Sequence, residues 1–209
     1  MTLSQERRNQ LLAWANRNGS WIVEDDYLGE LQLNRRAAPA LASQDTGGRV
    51  IHIGSFSKTI TPQLRLGFAV VPQSLIDIVA DVAASLSPAP NPALQMATRA
   101  FLSAGHFLRH LRKMKKIYGS RSSELLHLLQ QAGHQAEING LSVLVNLPES
   151  VSDRTLVHRA YHHGLAPSPL SGWYLPGTAA RSGLLLGISG QSGASMVQAC
   201  ELLDNLIRK

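Results

Sequence analysis

Cysteine is almost absent from this chain of 209 residues, since Cys200 is the only one. A single cysteine excludes an internal disulfide framework and a cysteine-rich metal site. No run of eighteen apolar residues occurs, so the sequence predicts no membrane-spanning helix. The N-terminal segment MTLSQERRNQLLAWANRNG is too charged for a secretory signal peptide. We therefore expect a cytoplasmic protein.

Aromatic residues make up only 5% of the chain and charged residues 16%, against 44% hydrophobic residues, which is typical of a globular protein. The net charge is +6, and much of it lies near residues 109–121. Arg109, Arg112, Lys113 and Lys116 share one face of a predicted helix there. This face lacks interleaved aromatics, zinc-finger spacing and any RNA-binding signature. It indicates a solvated helix, and we expect no specific DNA binding by this chain alone.

Helical and strand patterns alternate in the first half of the chain. Apolar runs predict strands at residues 21–26, 49–55 and 65–72, and apolar periodicity predicts helices at 3–18, 73–85, 95–105 and 106–132. Further on, the patterns predict strands at 141–148 and 183–189, and helices at 152–164 and 195–209. The alternation indicates an α/β fold with a mostly parallel sheet, followed by an α+β unit. We expect a partial large domain at 1–105 and a small C-terminal domain at 106–209.

The segment IHIGSFSKTITPQLRLGFAVVP, residues 51–72, places Lys58 after an apolar run. Open α/β sheets bind ligands at the carboxyl ends of their strands. Burial there would disfavour an ammonium ion, so the amine would become a nucleophile for an aldehyde. Ser55, Ser57, Thr59 and Arg65 lie within ten residues and are suited to binding a phosphate. The alternative is an ordinary solvated lysine in a surface loop.

The same segment does not fit a P-loop, because that motif needs a glycine directly before the lysine and Ser57 occupies this position. A second candidate site is the strand end VEDDYLGE. Asp25 and Tyr27 are two residues apart and project to one side of a strand, whereas Glu24 and Asp26 project to the other. A carboxylate that faces a pyridine nitrogen keeps it protonated, as pyridoxal phosphate chemistry requires. Taken alone, a polar strand end that enters a turn explains this stretch equally well.

These motifs together resemble the fold-type I pyridoxal-phosphate-dependent aminotransferases. The resemblance rests on Asp-x-Tyr, on Ser-x-Ser-Lys-Thr with its lysine thirty-one positions after Tyr27 (58 minus 27), and on PQLRLG. Within that group the chain looks most like the aminotransferase-like effector domain of MocR-type regulators in the GntR superfamily. GHFLRHLRKMKKIYGSR and GLLLGIS also resemble it. The resemblance implies the second half of a large domain, followed by the small C-terminal domain.

The resemblance also implies a role for each site residue. Lys58 would form a Schiff base with pyridoxal 5′-phosphate (PLP). Asp25 would face the pyridine nitrogen, and Tyr27 would reach the ring O3′. The phosphate would be bound by Ser55 and Arg65, with Ser57 as a further candidate.

Two departures from the family pattern limit the expected activity. Aminotransferases usually place an arginine in the last strand to bind the substrate carboxylate. Leu185 occupies the matching position here, and Arg181 is the nearest replacement. The resemblance further implies that the DNA-binding domain, the ring-stacking aromatic and the phosphate-binding helix start lie outside these residues. We therefore expect no transamination by this chain alone.

Three functions remain open at this stage. The chain is the PLP-binding effector domain of a transcriptional regulator, an aminotransferase of amino acids that is complete only with a separate N-terminal part, or a remnant without a cofactor. The expected partner is a second copy or the N-terminal half, and an amino-acid-like effector is possible. The pairs His106 with His110 and His162 with His163 lack a third ligand, so no metal site is expected.

Overall fold

The computed structural model of this chain describes residues 3–33, 39–86, 89–175, 177–190 and 192–208. The chain divides into two compact units. The N-terminal unit extends to Glu30 and includes later residues up to Leu111, whereas the C-terminal unit contains the chain from Arg112 together with a short piece that begins at Leu31. The division lies between Leu111 and Arg112, and the boundary predicted from the sequence lies after residue 105.

The helices follow from apolar periodicity and from capping residues at their starts. They are α1 (Gln5–Asn18), α2 (Ile76–Leu86), α3 (Pro92–Ser103), α4 (His106–Gln131), α5 (Asp153–His162) and α6 (Ala194–Arg208). The Asn91 side chain accepts a hydrogen bond from the Ala93 N–H at 2.9 Å, and Ser152 caps α5 in the same way through the Thr155 N–H. In the described part of the chain, no helix has both the length and the apolar character needed to cross a membrane.

The sheet of the N-terminal unit consists of β1 (Ile22–Asp26), β2 (Val50–Ser55) and β3 (Gly67–Val70), in that order. β1 and β2 are parallel, and β3 is antiparallel to β2. Residues 56–66 connect β2 to β3, which is too short for the crossover helix that parallel neighbours need. The sequence predicts a mostly parallel sheet. Among the described strands of this unit, β1 and β2 form one parallel pair, and the third strand is antiparallel.

The two faces of this sheet differ in how far they are covered. Ile22 and Val50 lie on one face and pack with Leu12 of α1 in a small core. On the other face, Val23 is 60% exposed and Ile53 is 40% exposed. We call this second face the open face, and it is defined by Val23, Asp25, Ile53 and Ser55. The helix predicted at residues 73–85 also lacks a covered face, because every residue of α2 is at least partly exposed.

The C-terminal unit contains an antiparallel sheet with the order β4-β5-β7-β6. Its strands are β4 (Ala136–Asn139), β5 (Ser142–Asn146), β6 (Ser168–Pro169) and β7 (Gly183–Gly187). Val143, Val145 and Leu184 are fully buried on one face of this sheet, because strand alternation directs them to the same side. They belong to a core that also includes side chains from α4, α5 and α6.

Candidate functional site

Asp25 lies on the open face of the sheet at the end of β1. It pairs with Ile53 in the parallel ladder, and Ser55 follows two residues later on the same side of β2. Asp25 is exposed, and Tyr27, directly after β1, is 51% exposed. The structure therefore brings Asp25 and Ser55 to the same face, near the carboxyl ends of two parallel strands, where open α/β sheets bind ligands.

The neighbouring carboxylate, Glu24, is turned to the covered face and is fully engaged there. It accepts hydrogen bonds from the backbone N–H groups of Leu41 at 2.6 Å and Ala42 at 3.1 Å, and it contacts His52 Nδ1 at 2.9 Å. Burial raises the pKa of the Glu24 carboxyl, but these hydrogen bonds outweigh burial and hold the pKa below its usual value. Glu24 thus fixes a loop, whereas Asp25 is left available to a ligand.

Lys58 lies in a single turn that follows β2. The Ile60 N–H donates to the Phe56 carbonyl at 2.8 Å, and the Phe56 N–H donates to the Leu66 carbonyl at 3.1 Å. At the start of the turn, the Ser57 N–H donates to the Ser55 hydroxyl at 3.1 Å. The turn is therefore closed by backbone hydrogen bonds on either side of the lysine.

The prediction that Lys58 is buried is wrong, because its side chain is exposed. The strand before it is only partly covered, and the open face beside it is in contact with solvent. Desolvation by the described residues therefore does not activate the amine. The lysine is instead exposed to solvent.

Arg65 lies at the same edge of the sheet, just before β3. Two residues later, Gly67 pairs with Ser55, so the backbone around Arg65 runs beside the end of β2. Arg65 has φ of 49°, and among the described residues it is the only one other than glycine with positive φ. An arginine in the left-handed region is strained, and such strain tends to occur at functional sites.

The side chains collected at this edge suit PLP. They comprise an amine, a guanidinium, two hydroxyls, a carboxylate and a phenol, contributed by Lys58, Arg65, Ser55, Ser57, Asp25 and Tyr27. An amine is the group that an aldehyde needs, and a cation with hydroxyl donors suits a phosphate. A carboxylate suits a protonated pyridine nitrogen. The donor set therefore fits the cofactor that the sequence motifs imply.

Sequence reasoning missed a contact behind the lysine turn. His110 Nε2 lies 2.8 Å from the backbone oxygen of Thr59, the residue after Lys58. The signal was present in α4, because Phe107, Leu111 and Met114 form an apolar stripe and His110 falls within it. Across the described residues, no three His, Cys, Asp or Glu side chains gather in a way that would hold a metal ion.

In the C-terminal unit, Leu185 and Arg181 occupy the region where the family pattern expects a carboxylate-binding arginine. Leu185 is part of β7 and pairs with Leu144 and Ser168. Arg181 precedes the strand, and its Nη2 donates to the Asn146 side-chain oxygen at 2.6 Å. The arginine outside the strand is thus already engaged by a neighbouring amide.

Comparisons with known proteins identify the family that this chain resembles. Residues 1–165 match the family model "Aminotransferase class I and II". The chain is 33% identical to the uncharacterized HTH-type transcriptional regulator YhdI of Bacillus subtilis, over 89% of this chain and 40% of that protein. It is 34% identical to the probable rhizopine catabolism regulatory protein MocR of Rhizobium meliloti, over 90% of this chain and 39% of that protein. The chain therefore spans about two fifths of the length of these relatives.

A solved structure with a related fold is LysN, the α-aminoadipate aminotransferase of Thermus thermophilus in complex with N-(5′-phosphopyridoxyl)-L-leucine. It superposes with a TM-score of 0.82 at 25% identity, over 98% of this chain and 54% of that one. The match confirms the α/β fold expected from the sequence. Because the family model covers most of the chain, the chain belongs to the class I and II aminotransferase family, and PLP is the cofactor which that family implies.

Proposed function

We propose that this chain is the PLP-binding, aminotransferase-like effector part of a MocR-type transcriptional regulator. The observation that supports the proposal is that Asp25 and Ser55 share one face of the sheet, because Asp25 pairs with Ile53 two residues before Ser55. Lys58 follows Ser55 by three residues, and Arg65 precedes by two residues the Gly67 that pairs with Ser55. The similarity to HTH-type regulators supports it. DNA binding by the longer protein would come from residues outside the matched part.

Each side chain has a specific task in this proposal. Lys58 holds the cofactor covalently through its amine, and Arg65 with the Ser55 and Ser57 hydroxyls binds the phosphate. Asp25 keeps a proton on the pyridine nitrogen, and Tyr27 donates a hydrogen bond to the ring O3′. The bound ring supplies an electron sink. An amino-acid-like molecule is the effector class that this set of side chains would favour once it holds the cofactor.

Absorption spectroscopy and chemical trapping test the covalent link. Addition of PLP to the purified chain is expected to produce a visible absorption band, and reduction with borohydride should fix the cofactor to Lys58. Lys58→Ala should abolish both signals. Lys113→Ala is the matched control, because Lys113 is also an exposed lysine but lies on α4. A band or a trapped adduct that persists in Lys58→Ala contradicts the assignment.

Catalysis of transamination is not part of the proposed function. Leu185 removes the charge-assisted anchor for a substrate carboxylate, which is worth about 2–5 kcal/mol, or roughly 30-fold to 4,000-fold in binding. Arg181 is held by Asn146. Assays with a panel of amino acids and an α-keto acid should therefore detect no amino-group transfer. Turnover that depends on Lys58 would favour the aminotransferase function instead.

The open face supports an assembly in which another polypeptide covers it. Val23 on this face, with Ile78 and Leu86 of α2, leaves apolar surface in contact with water. A second copy or the N-terminal part of the longer regulator is the expected partner, in the cytoplasm. The isolated chain is therefore expected to self-associate in light-scattering measurements. A stable monomer at high concentration would contradict this part of the proposal.

A further inference from the structure

The backbone carbonyl that follows Lys58 is bound by a histidine from another element. His110, in the first two turns of α4, places Nε2 2.8 Å from the Thr59 oxygen. We propose that His110 is a positioning residue that holds the turn carrying Lys58. This role rests on the proposed function of Lys58, and it adds a residue that does not itself touch the cofactor.

The geometry of the turn explains why this contact matters. Its own hydrogen bonds close the ring from Phe56 to Ile60, but they leave the Thr59 carbonyl free for an outside donor. The Thr59 side chain is only 2% exposed, and its hydroxyl has no hydrogen-bond partner among the described residues. Packing alone therefore fixes this side chain. Among the described residues, the contact from His110 adds to the Ile60–Phe56 hydrogen bond at this end of the turn and binds the Thr59 carbonyl, which the turn itself leaves unbonded.

The imidazole is well placed to be the donor. A carbonyl oxygen only accepts, so Nε2 must carry a hydrogen in this contact, as it does in one neutral tautomer and in the imidazolium ion. The ring also lies against Phe101, with centroids 6.3 Å apart and an edge-on orientation. Its side chain is half-buried in the apolar stripe of α4. The contact with Phe101 orients the imidazole ring of His110, and the hydrogen bond from that ring holds the Thr59 carbonyl in place.

The consequence concerns the direction of the lysine side chain. The Thr59 carbonyl is one residue from Lys58 in the same turn, so loss of its hydrogen bond loosens the φ and ψ angles that set the direction of the Lys58 side chain. Without the hydrogen bond from His110, the turn would still carry the Lys58 amine, but the amine would sample a wider range of orientations. The cofactor would then bind more weakly, because part of its binding energy would be spent on ordering the turn.

Two substitutions separate the donor from the shape of the ring. His110→Phe keeps an aromatic ring against Phe101 but removes the donor, whereas the amide nitrogen of His110→Gln can reach the same carbonyl. His106→Phe is the control. This residue is one turn earlier and its ring also lies near Phe101, with centroids 5.9 Å apart, but its side chain contacts Arg109.

The first measurement is hydrogen exchange of the chain without cofactor, followed by mass spectrometry. In His110→Phe, peptides that cover residues 56–61 are expected to exchange about tenfold faster, because one hydrogen bond is lost. His110→Gln and His106→Phe should stay within about threefold of the unsubstituted chain. Peptides that cover β1 report whether the N-terminal unit, which contains His110 and the lysine turn, remains folded. Equal exchange in His110→Phe and the unsubstituted chain, or equally fast exchange in His110→Gln and His110→Phe, would overturn the proposal.

The second measurement is a titration with PLP, followed by absorption. His110→Phe is expected to weaken binding about tenfold, with recovery in His110→Gln. If the unsubstituted chain shows no Lys58-dependent band, the proposed cofactor function fails, and hydrogen exchange alone decides the role of His110. If that band is present and His110→Phe binds PLP as tightly as the unsubstituted chain, the positioning role is wrong while the proposed function stands.

Discussion

Among the described residues, fourteen buried side chains pack into one core in the C-terminal unit, whereas three form the core cluster of the N-terminal unit. The same types of element behave differently in the two units. The terminal helix α6 buries four residues, but α2 buries none of its described residues. Similarly, β5 buries its three central residues, but every residue of β3 is exposed.

This difference shows how the chain separates stability from binding. Burial of apolar surface is the main source of folding free energy, so most of it comes from the C-terminal unit. The candidate cofactor residues all lie in the N-terminal unit, on or beside the face that is not covered. Their exposure leaves them accessible to a ligand, but it also means that this unit has little stability of its own.

The largest expected effect comes from a substitution in the larger core. Leu184→Ala removes a fully buried side chain and should destabilise the C-terminal unit by about 3 kcal/mol. Ile53→Ala on the open face should cost less than about 1 kcal/mol, because Ile53 is already partly in water. Similar losses from both variants would contradict the contrast between the two units.

Cys200 provides a chemical probe for opening of the C-terminal unit. It is the only cysteine, it is buried in the C-terminal core, and burial raises the pKa of its thiol. A thiol reagent therefore reacts with it mainly when this unit opens. Leu184→Ala is expected to increase the labelling rate about a hundredfold, whereas Ile53→Ala should leave it unchanged.

A smaller effect is expected from a buried carboxylate in the C-terminal unit. Asp153 accepts hydrogen bonds from the Ser171 N–H at 2.8 Å, the Ser171 hydroxyl at 2.7 Å and the Gly183 N–H at 3.3 Å. Burial raises the pKa of the Asp153 carboxyl, but these hydrogen bonds outweigh burial and lower it overall. Asp153→Asn should cost about 2 kcal/mol at neutral pH in urea titrations followed by circular dichroism.

The pH dependence of this loss has a definite sign. Because the folded pKa of Asp153 is below the ordinary value of about 3.9, its stabilisation is complete above that pH and disappears as the pH falls through the folded pKa. The difference between the unsubstituted chain and Asp153→Asn should therefore shrink below about pH 4. Glu137→Gln, an exposed substitution on β4, should show no such loss at neutral pH. A difference that is constant with pH would show that the carboxylate charge is irrelevant.

The N-terminal unit has its own anchoring carboxylate, which contributes less because it is less buried. Glu24→Gln should weaken the loop at Leu41 and Ala42 by about 1–2 kcal/mol. Hydrogen exchange of β1 and β2 should rise about tenfold, while labelling of Cys200 stays the same. The control is Asp25→Asn in the adjacent position on the open face, where no change in exchange is expected. Faster exchange in both variants would contradict the separation of the two faces.

The smallest expected effect is a gain in stability. Arg65→Gly relieves the positive φ and should stabilise the N-terminal unit by about 0.5–1 kcal/mol, whereas Arg65→Ala keeps the strained backbone and gives no gain. Thermal unfolding measures this difference. Both variants lose the cation, so both should bind PLP more weakly. If Arg65→Ala is as stable as Arg65→Gly, the backbone at this position is not strained.

Regular apolar patterns made much of the fold predictable from the sequence. Most helices and the longer strands lie within a few residues of their predicted positions. β4 and β6 escaped prediction because AEIN alternates over only four residues, and β6 is a two-residue strand that contains a proline. Alternation in β1 also separated Asp25 from Glu24 correctly, because side-chain direction in a strand is a local property.

Properties that depend on neighbours far along the chain could not be predicted in this way. The exposure of Lys58 depends on what covers the open face. The bond from His110 to the Thr59 carbonyl joins residues 51 positions apart, and the pattern of α4 showed only that this histidine belongs to an apolar stripe. By contrast, the leucine at position 185, where the family pattern has an arginine, was evident from the sequence because it lies within GLLLGIS.

The three consecutive acids of β1 have a consequence for how this protein tolerates insertions and deletions. Glu24 anchors a loop on one face, and Asp25 is presented on the other. Deletion of a single residue between Ile22 and Glu24 would exchange their directions, since a shift of one position reverses every side chain of a strand. Glu24 would then be presented to the cofactor edge, and Asp25 would be placed against His52. A substitution would alter the role of Glu24 or of Asp25 alone, whereas a deletion in β1 would exchange the positions of both carboxylates.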